Sequence, residues 1–598
     1  MKQHRNLLLG AGALLLLTGC IDDKYDLANI NTESEFKIDN LVLPVNLDPI
    51  ELDDIITVEE DDQLKIVTIN GETFYAVQES GTFESDDIDV NPFSATAKPM
   101  TPNTATFRLE GSQAKPGRKA GESFKQYLIV DEVYESLDYE ATDIDPAVRA
   151  LTKLFYKPLR FTISISTGSL SNGISSHLEN LTLKLPTGLT LSNVVAPGYT
   201  FKASDYNSST GLLTLGTVNV VDNASSISIE STAIDLAGYP GSFNYNEAAE
   251  VGTFTLDSEF SIEKGCHLVL TGSTDELTNL PNEITYGVNY DITQLDATAI
   301  LGDIQYDLKG TGLTLDPINL DNLPEFLENE ETNLILANPQ IYLNLDNPVG
   351  YIGLGYQSSL NIIAMREDGS ETKFPLGTQI QVAGKTGSYN YLLAPKPADV
   401  TSVLPEYAAG LNRIPYSDLG RILSGKGLPQ SLDIELINPM IPRQTLTEPF
   451  ELGVNIPGMK GTYDFIAPLA LEGDSRIIYT KTEDGWWSED LEALTITSLE
   501  IATVASSQIP MDATLAVYPI DREGKIITTA HVEPVTIEAN SVDKALTFVI
   551  SGTITDLDGI FISATVIPDG SEEVLRPEQT ITLKQLKAKV SGNYTKKL

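Results

Sequence analysis

The sequence predicts an all-β protein built of tandem β-sandwich domains with a few short helices, and three observations predict it. Apolar and polar residues alternate with period two in many segments, helical patterns are few and short, and Gly, Asn, Asp and Pro turns punctuate the chain. Alternation at spacing two puts one face of a strand in a core and the other in water. Many short strands between turns read as stacked sandwiches rather than a parallel α/β sheet.

The strand signal is clearest at Leu159, Phe161, Ile163 and Ile165, which alternate with Arg160, Thr162, Ser164 and Ser166. Leu181, Leu183 and Leu185 alternate with Thr182 and Lys184 until Pro186 ends the run, and residues 546–554 form a similar segment. Helical patterns are confined to residues 146–155, 323–331 and 416–424, the last closed by Gly425. Glu367-Asp368-Gly369 and Arg522-Glu523-Gly524 lie between strand-like runs and read as hairpin turns, with glycine supplying positive φ. Residues 334–341 and 434–441 echo one another around Asn338-Pro339 and Asn438-Pro439, which predicts two related sandwiches.

A chain of 598 residues is too long for one core and fits three to five domains. The expected division is a signal peptide at 1–19, a tether at 20–40, an N-terminal β domain at 41–155 and a sandwich at 156–272. A β domain at 273–425 and a C-terminal sandwich at 426–598 complete it. The net charge of −45 argues against nucleic acid, whose phosphates need basic patches, and against broad contact with anionic lipid. A hydrophobic fraction of 41% and 24 tyrosines separate the chain from disordered acidic sequences. Residues 112–122 form a basic, Pro/Gly-containing island that reads as an exposed loop.

Residues 1–20 read MKQHRNLLLGAGALLLLTGC. Lys2, His4 and Arg5 precede an apolar run from Leu7 to Leu17, too short to cross a bilayer, which needs roughly 20 residues of helix. Leu17-Thr18-Gly19-Cys20 resembles the lipobox of bacterial lipoproteins. That resemblance implies cleavage before Cys20, a diacylglycerol on its thiol and acylation, such as palmitate, of the new amine. Two or more acyl chains give stable anchoring where one does not. Asp22 and Asp23, just behind the cysteine, resemble the export signal of Bacteroidota lipoproteins displayed on the outer face of the outer membrane. The membrane, through lipid on Cys20, is therefore one expected partner.

The stretch Leu181-Thr182-Leu183-Lys184-Leu185-Pro186-Thr187-Gly188-Leu189-Thr190-Leu191, followed by Tyr206 to Gly216 with Gly211, Leu213 and Leu215, resembles the immunoglobulin-like repeats of bacterial surface proteins. The resemblance implies a sandwich used as a spacer or adhesion module.

The chemistry-bearing residues are sparse. Cys20 is assigned to lipid, which leaves Cys266 without a disulfide partner, and it reads as a buried structural thiol. His177, His267 and His531 form no ligand-spaced pair. Gly384-Lys385-Thr386 lacks the earlier glycine of a phosphate loop, since position 379 is Gln. Asp556-Leu557-Asp558-Gly559 fails as a calcium loop, because Ile554 and Thr565 stand where Asp and Glu are needed. Asp86, Asp87 and Asp89 read as a solvated acidic loop. No catalytic residue, metal site or cofactor is expected. The only tryptophans, Trp486 and Trp487, are candidate glycan contacts, since indole faces stack on sugar rings.

Three functional readings stand. The first is a non-catalytic, lipid-anchored surface protein with a structural, adhesive or assembly role. The second is a surface glycan-binding lipoprotein of a polysaccharide-uptake system, and the third a pilus component resembling the Bacteroidota fimbrillins. Surface proteins and glycans are the partner classes these imply; an enzyme is not expected.

Overall fold

The structure, a computed structural model, describes residues 33–597 apart from 45–49, 52–55, 57, 59–63, 112–114, 117–122, 168–169, 171–172, 309–316, 321–326, 328 and 486–492. The structure is about 62% strand and 4% helix, and among the described residues the strands form several packed sheets with no barrel. The all-β class, with sandwich-type domains and few short helices, holds.

The strand Val148–Thr167 organises the first half of the molecule. Its later part lies between Ala224–Asp235 and Glu283–Ile292, with Ile163 opposite Ile227 on one side and Tyr290 on the other. Leu159, Phe161, Ile163 and Ile165 are all buried, as their alternation predicts. A second layer, Ser175–Lys184 between Leu212–Val220 and His267–Gly272, adds Leu178, Leu181 and Leu183 to the same core. Each such side chain removed from water contributes about 1.5–3 kcal/mol.

The Leu-Pro and Gly-Leu segments that suggested an immunoglobulin-like hairpin pack together. Leu181 and Leu183 sit opposite Leu215 and Leu213. The Leu185 amide donates to the Gly211 carbonyl at 2.8 Å. Gly211 holds φ at 74°, and a Cβ there would collide with the Leu185 carbonyl. Gly211→Ala is therefore expected to destabilise this sandwich by more than about 1 kcal/mol, because it adds a clash to a left-handed backbone. A urea midpoint indistinguishable from wild type would refute this.

Residues 148–155 are strand, not helix, and 146–147 form the turn before it. The early part of Val148–Thr167 pairs with Leu295–Asp307 through three register shifts, between Val148 and Ala150, Leu151 and Lys153, and Phe155 and Tyr156. The first two shifts each add a residue to this strand, so the buried positions fall at Val148, Leu151 and Leu154, a spacing of three that mimics a helix. The 416–424 pattern forms a 3₁₀ turn, Ser417–Arg421, and Gly425 follows it at φ 126°. The 323–331 pattern lies largely outside the described residues. Both hairpin turns form, with Gly369 at φ 77° and Gly524 at φ 71°.

A six-stranded sheet joins early and late segments of the chain, in the order Asn412–Pro415, Gly387–Ala394, Gln340–Asn347, Lys460–Pro468, Glu72–Glu84, Leu64–Ile69. Its inner face meets the ladder of Tyr356–Met365 with Ser431–Thr445, where Phe83, Leu343 and Leu345 pack with Tyr356, Leu360, Leu436 and Met440. The echo between 334–341 and 434–441 does not mark two sandwiches. The first segment runs into the six-stranded sheet and the second lies inside the facing ladder, so they are opposite layers of one sandwich.

Strand pairings run across the segment limits expected from sequence. Val148–Thr167 spans 155/156, and Ser431–Thr445 pairs with Tyr356–Met365 and Leu295–Asp307 across 425/426. The first described strand, Glu33–Pro44, pairs with the last, Thr580–Lys597. These two join Leu494–Ser507, Lys544–Ile554 and Ala530–Glu533 in one sheet of the C-terminal sandwich. Ile477–Glu483, Gly559–Pro568, Met511–Ile520 and Val535–Ile537 form its other sheet.

The segment around Leu575 ties this sandwich to the six-stranded sheet. The Tyr75 amide donates to the Leu575 carbonyl and the Leu575 amide to the Leu469 carbonyl, each at 3.0 Å, and Leu575 is buried.

Candidate functional site

Every site residue named from the sequence lies outside the described residues: Cys20, Asp22, Asp23, Trp486 and Trp487. The other chemistry-bearing residues are placed. Cys266 is fully buried, and burial pushes its thiol up to about 12, so it packs as an inert apolar group. Gly384 packs against Gly353, where a Cβ would strike the backbone, so its glycine serves a close chain crossing rather than a phosphate.

Two of the three described histidines, distant in sequence, come onto adjacent strands. Glu179 sits directly opposite His267, and His177 lies two residues along from Glu179 on the same face. His177 Nε2 is 3.3 Å from Glu179, and His267 Nε2 is 3.6 Å from Glu110. Among the described residues no group of three ligand-type side chains is placed to hold a metal ion.

The outer face of the six-stranded sheet is an extended polar surface. Strand register builds it in rows. Thr82, Thr462, Asn344 and Asn390 form one row across four strands. Ser80, Asp464 and Tyr342 form the next, and Glu84, Lys460, Asp346 and Ser388 the third. Outward positions of a strand repeat every second residue, which is why alternate residues of four strands share this face.

One end of that face is roofed by the chain between Ala394 and Asn412. Val400 and Tyr407 from this strap pack with Val67, Phe74, Tyr342, Leu392 and Ile466 in a small second core. Tyr407 marks where the roof ends. Its ring centroid lies 5.2 Å from that of Tyr342, and its hydroxyl donates to Asp464 Oδ2 at 2.5 Å, with Thr462 Oγ1 at 3.3 Å. Burial first, and then the bond to Asp464, push the phenol's pKa up, so Tyr407 stays protonated and donates.

Beyond Tyr407 the shelf is open, forming a cleft of 530 Å³ lined by Ser80, Thr82, Asn344, Thr462 and Asp464, with Glu406 at its rim. Asn344 Nδ2 donates to Asn390 Oδ1 at 2.6 Å, and Lys460 pairs with Glu84 at 2.6 Å. Hydroxyls, amides and carboxylates on rigid strands suit hydrogen-bonded recognition of a polar partner. Sequence reasoning missed this surface because its members come from both ends of the chain and look locally like ordinary solvent-facing strand residues.

No family model matches the chain, and no curated protein matches it. Among solved structures it is similar to a protein from Parabacteroides distasonis ATCC 8503, provisionally described as secreted, at 16% identity and a TM-score of 0.33 over 49% of this chain and 88% of that one. It is similar also to the adhesin domain of Epf from Streptococcus pyogenes, at 10% identity and a TM-score of 0.13 over 59% of this chain and 92% of that one. Likenesses this slight carry no argument about function, and the chain is placed in no characterised family.

Proposed function

We propose that this protein is a non-catalytic, lipid-anchored surface protein whose stacked sandwiches serve a structural or adhesive role outside the outer membrane. The observation that carries the reading is the pairing of Glu33–Pro44 with Thr580–Lys597. Glu33 follows Cys20 by thirteen residues, a reach of at most about 45 Å when fully extended. A lipid on Cys20 then holds the C-terminal sandwich near the membrane, and the body between residues 64 and 476 projects from it. The Leu575 contacts join the two, and the polar shelf lies on the projecting body. Rigid modules carrying hydrogen-bonding faces suit adhesion or assembly.

The test is anchorage. Cys20→Ala is expected to move the protein from the membrane fraction to the soluble exported fraction, since acylation is the attachment inferred. Continued sedimentation of the variant with membranes would overturn the proposal.

A further inference from the structure

A second cleft, of 470 Å³, opens where the start of Val148–Thr167, the strand Phe243–Asn246 and the end of Ser431–Thr445 meet. Arg149, Arg443, Tyr239, Ser242, Asn244 and Tyr245 line it. Two arginines in one cleft stand out in a chain with 39 basic against 84 acidic side chains. The Arg149 guanidinium lies over the Tyr245 ring, 3.9 Å from its centroid, which fixes the plane of the group. Its side chain is 15% exposed, whereas its carboxylate partner Glu247, 3.4 Å away, is 83% exposed. A pair with so exposed a partner is weak and readily exchanged. The Arg149 Nε and the Tyr245 hydroxyl are buried without hydrogen-bond partners, so the fold leaves this corner polar and unsatisfied.

Arg443 is held differently. Asp303 takes its Nε at 2.9 Å and its Nη2 at 2.8 Å, and the Thr445 hydroxyl donates to the same carboxylate at 2.7 Å. That bracing orients a half-exposed guanidinium at the cleft. The volume falls in the roughly 300–1,000 Å³ range of small-ligand sites, and a guanidinium fork matches a carboxylate. Ser242 and Asn244 add a hydroxyl and an amide, and Tyr239 a ring face.

We propose that this cleft binds a small carboxylate-bearing ligand, with Arg149 exchanging Glu247 for the ligand's carboxylate and Arg443 supplying a second cation. An acidic sugar and an N-acylated amino acid share this chemistry. The inference stands independently of membrane anchorage.

The experiment is calorimetric titration of the purified full chain with D-galacturonate, N-acetylglycine and D-galactose. At least one of the two acids is expected to bind with a dissociation constant of about 1 mM or tighter, and galactose at least about tenfold more weakly. Binding by galacturonate alone identifies an acidic sugar, and binding by N-acetylglycine alone an amino-acid carboxylate. Equal binding by both shows that the carboxylate itself is read. Arg149→Met and Arg443→Met should each weaken binding at least about tenfold. Because Arg149 is packed against Tyr245, its variant can fail to fold, and the half-exposed Arg443 is the decisive position. Silence from both acids, galactose binding as tightly as galacturonate, or unchanged affinity in Arg443→Met would overturn the proposal.

Discussion

Asn347→Leu is expected to destabilise the central sandwich by about 3–6 kcal/mol, enough to unfold a domain of ordinary stability. Asn347 is 2% exposed and fully committed. Its Nδ2 donates to the carbonyls of Leu354 and Ala383, each at 2.8 Å, and its Oδ1 accepts from the Val349 amide at 3.1 Å. Leucine matches its branching but satisfies none of these groups, and an unpaired buried polar group costs about 1–3 kcal/mol. The Tyr389 hydroxyl lies 3.2 Å from the Ala383 carbonyl but has one proton to share with the nearer Lys385 carbonyl at 2.9 Å, so it offsets the loss at Ala383 only in part. Denaturant unfolding measures this directly. A loss below about 1 kcal/mol would show that water replaces the amide and that the knot is not a structural support.

The second large effect concerns the joint between the C-terminal sandwich and the body. Leu575→Glu should split thermal unfolding into two calorimetric transitions. The residue is 2% exposed and its backbone is bonded to both Tyr75 and Leu469. A carboxylate cannot occupy that site ionised without a partner, so the segment leaves rather than burying it. Lys396 supports the same joint, reaching Glu572 at 2.8 Å and Glu472 at 3.5 Å. The bond from Lys396 holds the Glu572 carboxyl below its usual range, and the Glu572 carboxylate raises the Lys396 ammonium. A depressed carboxyl contributes above its unfolded pKa and loses that contribution as pH falls through its folded value. A raised ammonium contributes below its unfolded pKa and loses that contribution only as pH rises through its folded value. The joint therefore loosens first in acid, and the variant's two transitions should separate further there. Both groups are about 40% exposed, so this electrostatic part is modest. A single transition at the wild-type midpoint would refute the joint.

Local pattern carried the fold wherever the ladder is regular. The alternation from Leu159 to Ile165 and the Gly211 hairpin are legible because neighbouring residues determine them. Residues 148–156 misled because bulges impose a spacing of three on a strand. The pairing of Glu72–Glu84 with Lys460–Pro468 and of Glu33–Pro44 with Thr580–Lys597 left no local trace. Register between remote strands is set by which faces must be buried together, and a single sequence does not display that. The same cause hid the polar shelf, since Ser80, Asn344 and Asp464 become neighbours only once three strands are in register. Arg149 was hidden within a stretch that reads as helix. The expectations for Cys20, Asp22 and Asp23 rest on a linear string alone, the form in which a processing signal is written, and those residues lie outside the described ones.

Surface display is tested most directly by labelling single introduced cysteines on intact cells with a membrane-impermeant maleimide. Cys266 gives no background, being fully buried with its thiol pushed up to about 12, and the proposal places lipid on Cys20, the other cysteine. Val542, 74% exposed on the C-terminal sandwich, and Tyr351, 60% exposed on the body, are the positions to replace. The account predicts that Val542→Cys and Tyr351→Cys both label on unbroken cells. Labelling of either variant only after the outer membrane is permeabilised would contradict it.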